Sequence, residues 1–537
     1  MTLLLPLFMA REAAAQSETK KATPPADHPL AGYRAGGFFL RDEKDLFILY
    51  PSLDLQIDHY NYFGPGVGDT NLKSTFAFRR TRLTFAGEFL KDWTFRLELE
   101  MGRTALDNLN GRDETSAAAP GAAPTATSGQ YAPAQTARVV AQLVGAWVGY
   151  RVHPALNFRV GQALTSFSME NSTPPRSLQF MEKSLATRVL GSQVANGVDL
   201  HGLLWGTLGE DIVTYTVAFV NGAGPNRLDT DGRGDLMTRV YVRPLSTVSG
   251  IGELKGLHFG GSFSYGSRDP TWTHYDYNAM TTQGNYAFWR PNYRNSLIGR
   301  NVHVVPANNQ IAAAGELRVP FSIFDLMAEV VYVDNGTREV VEGYQSQNPA
   351  YGPGTLGFGH MHGFGYYLHG GVWLFGPRTG GRIGETFKPA RLNLSKPDSP
   401  HESSLQAMVR WEQVSLRYDG YSKTSAVTAT GAPAFTGVGP YDGDIKVNAI
   451  SGGLNYWATR HIRLTAQWTT YLFPDSAPPT PTHPGGPVCD AVACANRAQA
   501  PAQSLPGTPS NVPQSQLEAR DNGHSLHELL FRAQVTF

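Results

Sequence analysis

The sequence predicts an all-β chain: a transmembrane antiparallel β-barrel of about 16 strands. Three observations carry this. Charged and apolar residues alternate strictly in runs of about ten, short and long connections alternate along the chain, and the last strand is amphipathic and ends on an aromatic residue.

The alternation is clearest in RRTRLTFAGEFLKDWTFRLELEMG, Arg79 to Gly102. Leu83, Phe85, Gly87 and Phe89 share one face, and Arg80, Arg82, Thr84, Ala86 and Glu88 the other. After LKD, Trp93, Phe95, Leu97, Leu99 and Met101 alternate with Thr94, Arg96, Glu98 and Glu100. These two strands have the length of a tilted membrane crossing. A soluble sandwich would bury the apolar face, whereas a barrel turns it to lipid and the charged face to a wet lumen. One hairpin fits both.

Composition narrows the choice. Only 17% of the 537 residues are charged, the net charge is zero, and there are 57 glycines and 11% aromatics. The neutral balance gives no basic surface for nucleic acid. No internal run reaches the 18 or so apolar residues of a membrane helix, a test to which a barrel is blind. The start, MTLLLPLFMAREAAAQS, pairs an apolar run with Ala13-Ala14-Ala15, so residues 1–15 read as a signal peptide, imperfect because Arg11-Glu12 interrupts it. Residues 16–35 read as a flexible periplasmic lead-in and 36–537 as the barrel. Cys489 and Cys494 sit in a Pro-rich stretch that fits a loop disulfide or two free thiols.

Along the chain, GFFLRDEKDLFILYP reads as a small hairpin. Sixteen strands follow, from about 46–58 to SLHELLFRAQVTF. Long connections fall near 59–74, 104–137, 163–195, 222–233, 267–309, 335–360, 415–443 and 474–524. This is the pattern of short periplasmic turns and long outer loops, and closure removes the strand edge that lipid does not tolerate. In the last strand Leu529, Phe531, Ala533, Val535 and Phe537 oppose Arg532, Gln534 and Thr536, which makes Phe537 the candidate assembly signal. Tyr150, Tyr456, Trp457, Tyr471 and Phe473 gather at strand ends, as an interfacial girdle requires.

Three stretches, FRRTRLTFAGEFLKDWTFRLELEMG, NFRVGQALTSFSMENSTPPRSLQFMEKSLA and GGLNYWATRHIRLTAQW, resemble the phosphate-selective porin O/P family. The resemblance implies an outer-membrane porin of 16 strands, commonly a homotrimer, whose arginines and lysines guide anions. It matches Arg79, Arg80 and Arg82 to the family's basic cluster. It also matches Glu170, Arg176, Phe180, Glu182 and Lys183 to the segment the family folds into the pore, here 163–195, which also carries Arg188. Leu164 departs from the family, which commonly has lysine there, and so withdraws a cation from where phosphate would be held.

Parity places nine cations inward, Arg80, Arg82, Arg96, Arg159, Arg239, Arg318, Arg410, Arg463 and Arg532, against seven acids, Glu88, Glu98, Glu100, Asp199, Glu316, Glu329 and Glu412. Such charges either steer solutes or brace the wall as ion pairs. Arg532 is read as lying on a wide, screened part of that wall. In DTDGRGD, Asp229, Asp231 and Asp235 read as a plain turn or a calcium loop without its distal glutamate. His360, His362 and His369 lack the partners of a metal site, and no phosphate loop or nucleophile elbow occurs.

No cofactor is expected. The leading expectation is passive diffusion of small hydrophilic solutes with a weak anion preference, phosphate among them. The implied partners are outer-membrane lipid, such solutes and the barrel assembly machinery. The alternatives are a plugged structural or adhesive barrel, and a barrel enzyme, for which no Ser/His/acid spacing is found.

Overall fold

The computed structural model describes residues 29–64, 74–102, 141–191, 197–229, 231–271, 277, 280–284, 287–289, 292–295, 300–341, 355–379, 383–389, 391–394, 402–419, 443–472 and 525–537. The expected signal peptide, most of the lead-in, the low-complexity 104–137 stretch and Cys489 and Cys494 lie outside these residues.

Sixteen strands form the wall: β1 (Phe47–Phe63), β2 (Thr75–Phe89), β3 (Trp93–Glu100), β4 (Gln142–His153), β5 (Leu156–Leu164), β6 (Val198–Leu208), β7 (Val213–Val220) and β8 (Asp235–Val242). They continue as β9 (His258–Arg268), β10 (Arg300–Phe321), β11 (Phe324–Val341), β12 (Thr355–Phe375), β13 (Ser404–Asp419), β14 (Gly443–Trp457), β15 (Ile462–Leu472) and β16 (Ser525–Thr536). Each pairs antiparallel with the next. The ring closes between β16 and β1, from His527↔Phe63 to Thr536↔Asp54. Every wall strand therefore has two neighbours, so the backbone hydrogen bonds are satisfied within the ring.

The alternation read from the sequence becomes two faces. Arg159 is 3% exposed and its neighbour Val160 67%. Phe219, Leu326, Leu368, Val409, Ile450 and Trp468 share the outer, apolar surface. Aromatic rings mark the short-turn end, where Phe89 stacks on Trp93 at 5.7 Å and Trp93 meets Tyr150 at 4.8 Å. An apolar band with an aromatic edge matches a bilayer's core and interface. Of the residues expected in that girdle, Trp457 (6% exposed) and Tyr471 (1%) are instead buried on the polar face, where the Tyr471 hydroxyl accepts from Gln283 N, and Phe473 lies outside the described residues.

Three details depart from strict alternation. First, the pairing slips at β2, where Gln56 faces Arg80 but Ile57 faces Phe78, so Arg79 is a β-bulge. The extra residue flips the phase: Phe76 and Phe78 point outward above the bulge, Leu83 and Phe85 below it, and Arg79 and Arg80 both reach the polar face. Second, the N-terminal hairpin is Ala31–Arg34 with Gly37–Arg41, earlier than GFFLRDEKDLFILYP suggests, and its first strand lies within the stretch read as a lead-in. It extends the sheet beside β1 through Leu40↔Leu49 and Arg41↔Ile48. Third, β10 begins at Arg300, inside the expected 267–309 loop, and accommodates Pro306 at a pairing irregularity before Gln310.

Candidate pore site

The polar face is covered by chain rather than left open. Residues 165–191 leave β5 and pack against it, with Phe167, Met169, Phe180, Met181, Leu185 and Val189 each at most 2% exposed. A short helix, Leu185–Val189, starts at Ser184, whose side chain accepts a hydrogen bond from the Thr187 amide. The segment bonds to strands around much of the ring. Ser168 N donates to Ser262 on β9, Met169 N and Glu170 N to Glu329 on β11, and Met181 N to Gln467 on β15. The Leu185 amide donates to Glu412 on β13, and Asn455 on β14 donates to Gln179 O.

Glu182 is the electrostatic centre of this packing. Its carboxylate accepts from Arg79 at 2.8 Å, from Arg80 at 2.8 and 2.9 Å, and from Arg532 at 2.8 Å. The bulge is what lets two consecutive arginines share one acceptor. These guanidiniums hold the Glu182 carboxyl well below the usual carboxylate range, against the opposing effect of burial. Arg532 also clamps Asp58 with two bonds of 2.7 Å. A second centre is Arg410, which donates to Glu412 at 2.9 Å and to Glu170 at 3.3 Å and lies 4.3 Å over the Phe180 ring.

The wall cations divide into two groups. Arg82 pairs with Glu98 and Glu100, Arg96 with Glu98, Arg239 with Glu316 and Arg318 with Asp325. Arg80, Arg410 and Arg532 are likewise paired with carboxylates. Arg159 and Arg463 have no carboxylate partner among the described residues. Arg159 donates to His201 at 2.8 Å and lies over Trp147, and Arg463 donates to Leu178 O and Gln534. Arg532 is 2% exposed, which corrects its placement on a wide, screened wall.

Parity also missed charges. Asp54, Asp58, Asp235, Asp325, Glu528 and Arg268 are buried on the same face, which removes the cationic margin of the parity count. The first two were legible, since Asp54, Gln56, Asp58 and Tyr60 alternate with Leu53, Leu55 and Ile57. Two further segments on the polar face were not. Thr282, Gln283 and Gly284 bond Glu528, Glu412 and Gln467, while Arg188 donates to Thr281. From the other end, Gly384 O accepts from Arg239, Gly384 N and Thr386 N donate to Thr173 and Ser172, and Arg391 pairs with Glu88.

The remaining candidates resolve simply. Asp229 accepts from the Asp231 and Gly232 amides, Gly232 adopts φ +69°, and Asp235 pairs with Arg268, as in a turn that satisfies itself. His360 faces Asp334, while His369 is buried on the opposite face of β12. No group of three or more metal-ligating side chains occurs among the described residues.

A closed barrel of sixteen antiparallel strands, apolar outside and charged inside, defines an outer-membrane channel protein. The model of the family "phosphate-selective porin O and P" matches residues 52–471, and the chain belongs to that family. It is a porin of the bacterial outer membrane. No curated protein matches the sequence. Solved structures similar to it include the outer membrane channel DcaP of Acinetobacter baumannii (10% identity, 95% of this chain and 100% of that one, TM-score 0.42). Others are an anion-selective porin from Comamonas acidovorans (10%, 91% and 100%, 0.40) and the trimer form of OmpT from Vibrio cholerae (8%, 91% and 100%, 0.40). All three scores lie below 0.5, and the assignment rests on the family match.

Proposed function

We propose that the chain passes small hydrophilic solutes by passive diffusion with a weak preference for anions, phosphate among them, and that residues 165–191 narrow its lumen. One observation carries the preference. The segment's acids, Glu170 and Glu182, are buried and bonded, whereas its cations Arg176, Lys183 and Arg188 are only half-buried. Water at the narrowing therefore meets positive charge, where a low-dielectric wall focuses the field. No residue performs chemistry. Leu164, where the family commonly has lysine, leaves the preference general rather than phosphate-specific.

Single-channel recording in a salt gradient tests this. Stable open steps with a reversal potential displaced toward the anion side are expected. A closed barrel or strong cation selectivity overturns it.

The preference should depend on pH. Burial lowers the Lys183 ammonium from its ordinary range to about 8, with Glu170 and Glu182 raising it and Arg80 and Arg82 lowering it. The group is charged below that value and neutral above it. The anion/cation permeability ratio should thus fall between pH 7 and pH 9, and a Lys183→Met variant should show a smaller drop over that interval.

The proposal includes assembly as a homotrimer, which the family resemblance implies, and insertion by the barrel assembly machinery through the terminal aromatic. Phe537 N donates to Leu53 O at 2.9 Å, and its ring lies 5.3 Å from His461 and 6.3 Å from Phe38. Deleting Phe537 should cost about 1 kcal/mol of aromatic contact and lower the amount of folded barrel in purified outer membranes. Undiminished yield argues against this role.

A further inference from the structure

We propose that loops folded into the lumen set the anion preference by capping wall carboxylates that have no cation of their own, and that the 280–284 finger over Glu528 is one such specificity determinant. The finger lies between β9 and β10 in the chain. The proposal rests on the channel reading above and names what sustains its charge preference. The buried acids of the polar face remove the cationic margin of the lumen, so the wall alone does not account for a preference for anions.

Most wall acids are paired. Glu88, Glu98, Glu100, Glu316, Glu412, Asp58, Asp235 and Asp325 each contact an arginine. Asp54, Asp199, Glu329 and Glu528 have no ion pair among the described residues, and three of these four are capped from a loop instead. Glu329 on β11 accepts from the Met169 and Glu170 amides at 2.6 and 2.9 Å and from the Tyr367 hydroxyl. Asp199 on β6 accepts from the Gly224 amide at 2.9 Å, where Gly224 adopts φ +88°, a conformation glycine reaches without strain. Glu528 on β16 accepts from the Thr282 hydroxyl and, at 3.0 Å, from the Gly284 amide. Asp54 is the exception, bonded by the Gln56 and Thr536 side chains.

A cap acts in two ways. Its N–H and O–H dipoles offset the field of the carboxylate, as in the backbone nests that hold anions. Its bulk also keeps a permeating ion a chain's width further off, and Coulomb energy falls with distance. The wall cations are less covered. Arg96 and Arg82 keep 26% and 19% of their side chains exposed, against 9% and 12% for their partners Glu98 and Glu100. Glu528 is fully buried beneath the finger. Gly284 is what lets the finger seat there. A Cβ on it would lie 2.9 Å from Glu528 Oε1 and from the Tyr62 ring, and the Tyr62 hydroxyl is itself bonded to Gly284 O at 2.6 Å.

The test uses the full barrel in a planar bilayer and reads the anion/cation permeability ratio from reversal potentials in a potassium chloride gradient. Gly284→Val, which unseats the finger, should lower the ratio about threefold, the order for one carboxylate brought near an ion's path in screened, water-like surroundings. Adding Glu528→Gln should restore it, whereas Glu528→Gln alone should raise the parent's ratio far less. An unchanged ratio in Gly284→Val overturns the proposal. So does a fall that Glu528→Gln does not restore, or an equal effect of Glu528→Gln in both backgrounds. Where Gly284→Val does not fold, two milder variants decide. Thr282→Val removes one donor without adding bulk and should lower the ratio more weakly; no fall overturns the proposal. A rise of about threefold from Glu528→Gln alone, the full effect of a visible charge, overturns it too. These outcomes leave the channel reading intact. A parent that is shut or prefers cations overturns that reading, and this one with it.

Discussion

Replacing Glu182 with alanine is expected to lower the stability of the barrel by about 3–5 kcal/mol, the range for breaking a buried ion network by removing one partner. The side chain is 4% exposed and accepts from three guanidiniums. Asp58 would still hold Arg532, but Arg79 and Arg80 would lose their only carboxylate among the described residues. The denaturant midpoint of the folded form, followed by its altered gel mobility, measures the loss. The same substitution removes one negative charge from the polar face, so the reversal potential of surviving channels should move further toward the anion side. An unfolding free energy within about 0.5 kcal/mol of the parent, the scale of ordinary surface substitutions, would sink the idea that Glu182 anchors the segment.

The second large effect is on selectivity. Arg176→Glu combined with Lys183→Glu should lower the anion/cation permeability ratio about tenfold. Reversing one charge about 5 Å from a permeating ion changes its energy by roughly 1–2 kcal/mol in water-like surroundings, before screening. Arg233→Glu is the appropriate control, because Arg233 pairs with Asp269 in an outer connection and its side chain is 43% exposed. It should change the ratio little. Arg532→Glu is unsuitable, since it would place a third carboxylate beside Asp58 and Glu182. If the double variant leaves the ratio where it was, the segment does not line the solute path.

Much of this architecture was legible because a strand repeats every two residues. All sixteen wall strands follow from parity and connection length, and so does the inward position of Arg239, Arg410 and Arg463. What parity could not carry was its own interruption. One extra residue at Arg79 inverts the phase of Phe76 and Phe78, and nothing in FAFRRTRL marks which residue is extra. Partners separated by hundreds of residues were equally hidden. Arg410 looks like any inward cation until Glu170 and Phe180 are brought to it by a segment with no repeat of its own. The segments at 280–284, 383–389 and 391–394 hid for the same reason: their contacts, polar ones and the burial of Met280 and Phe387 alike, are irregular and made with side chains of distant strands. Family resemblance, rather than any periodicity, singled out 163–195.

The seam between β16 and β1 has a consequence for the order of events during folding. Asp58 and Arg532 are 474 positions apart, yet they share two bonds of 2.7 Å across adjacent strands. Joining them closes a loop that contains nearly all of the wall, and loop-closure entropy opposes such a contact until the intervening hairpins have shortened the path. Local pairs such as β2 with β3 need no such help. The ring should therefore zip through its neighbouring hairpins and latch at Asp58–Arg532 last. Weakening the latch with Asp58→Asn should slow closure far more than an equal loss of stability within a hairpin, and time-resolved refolding into lipid would separate the two.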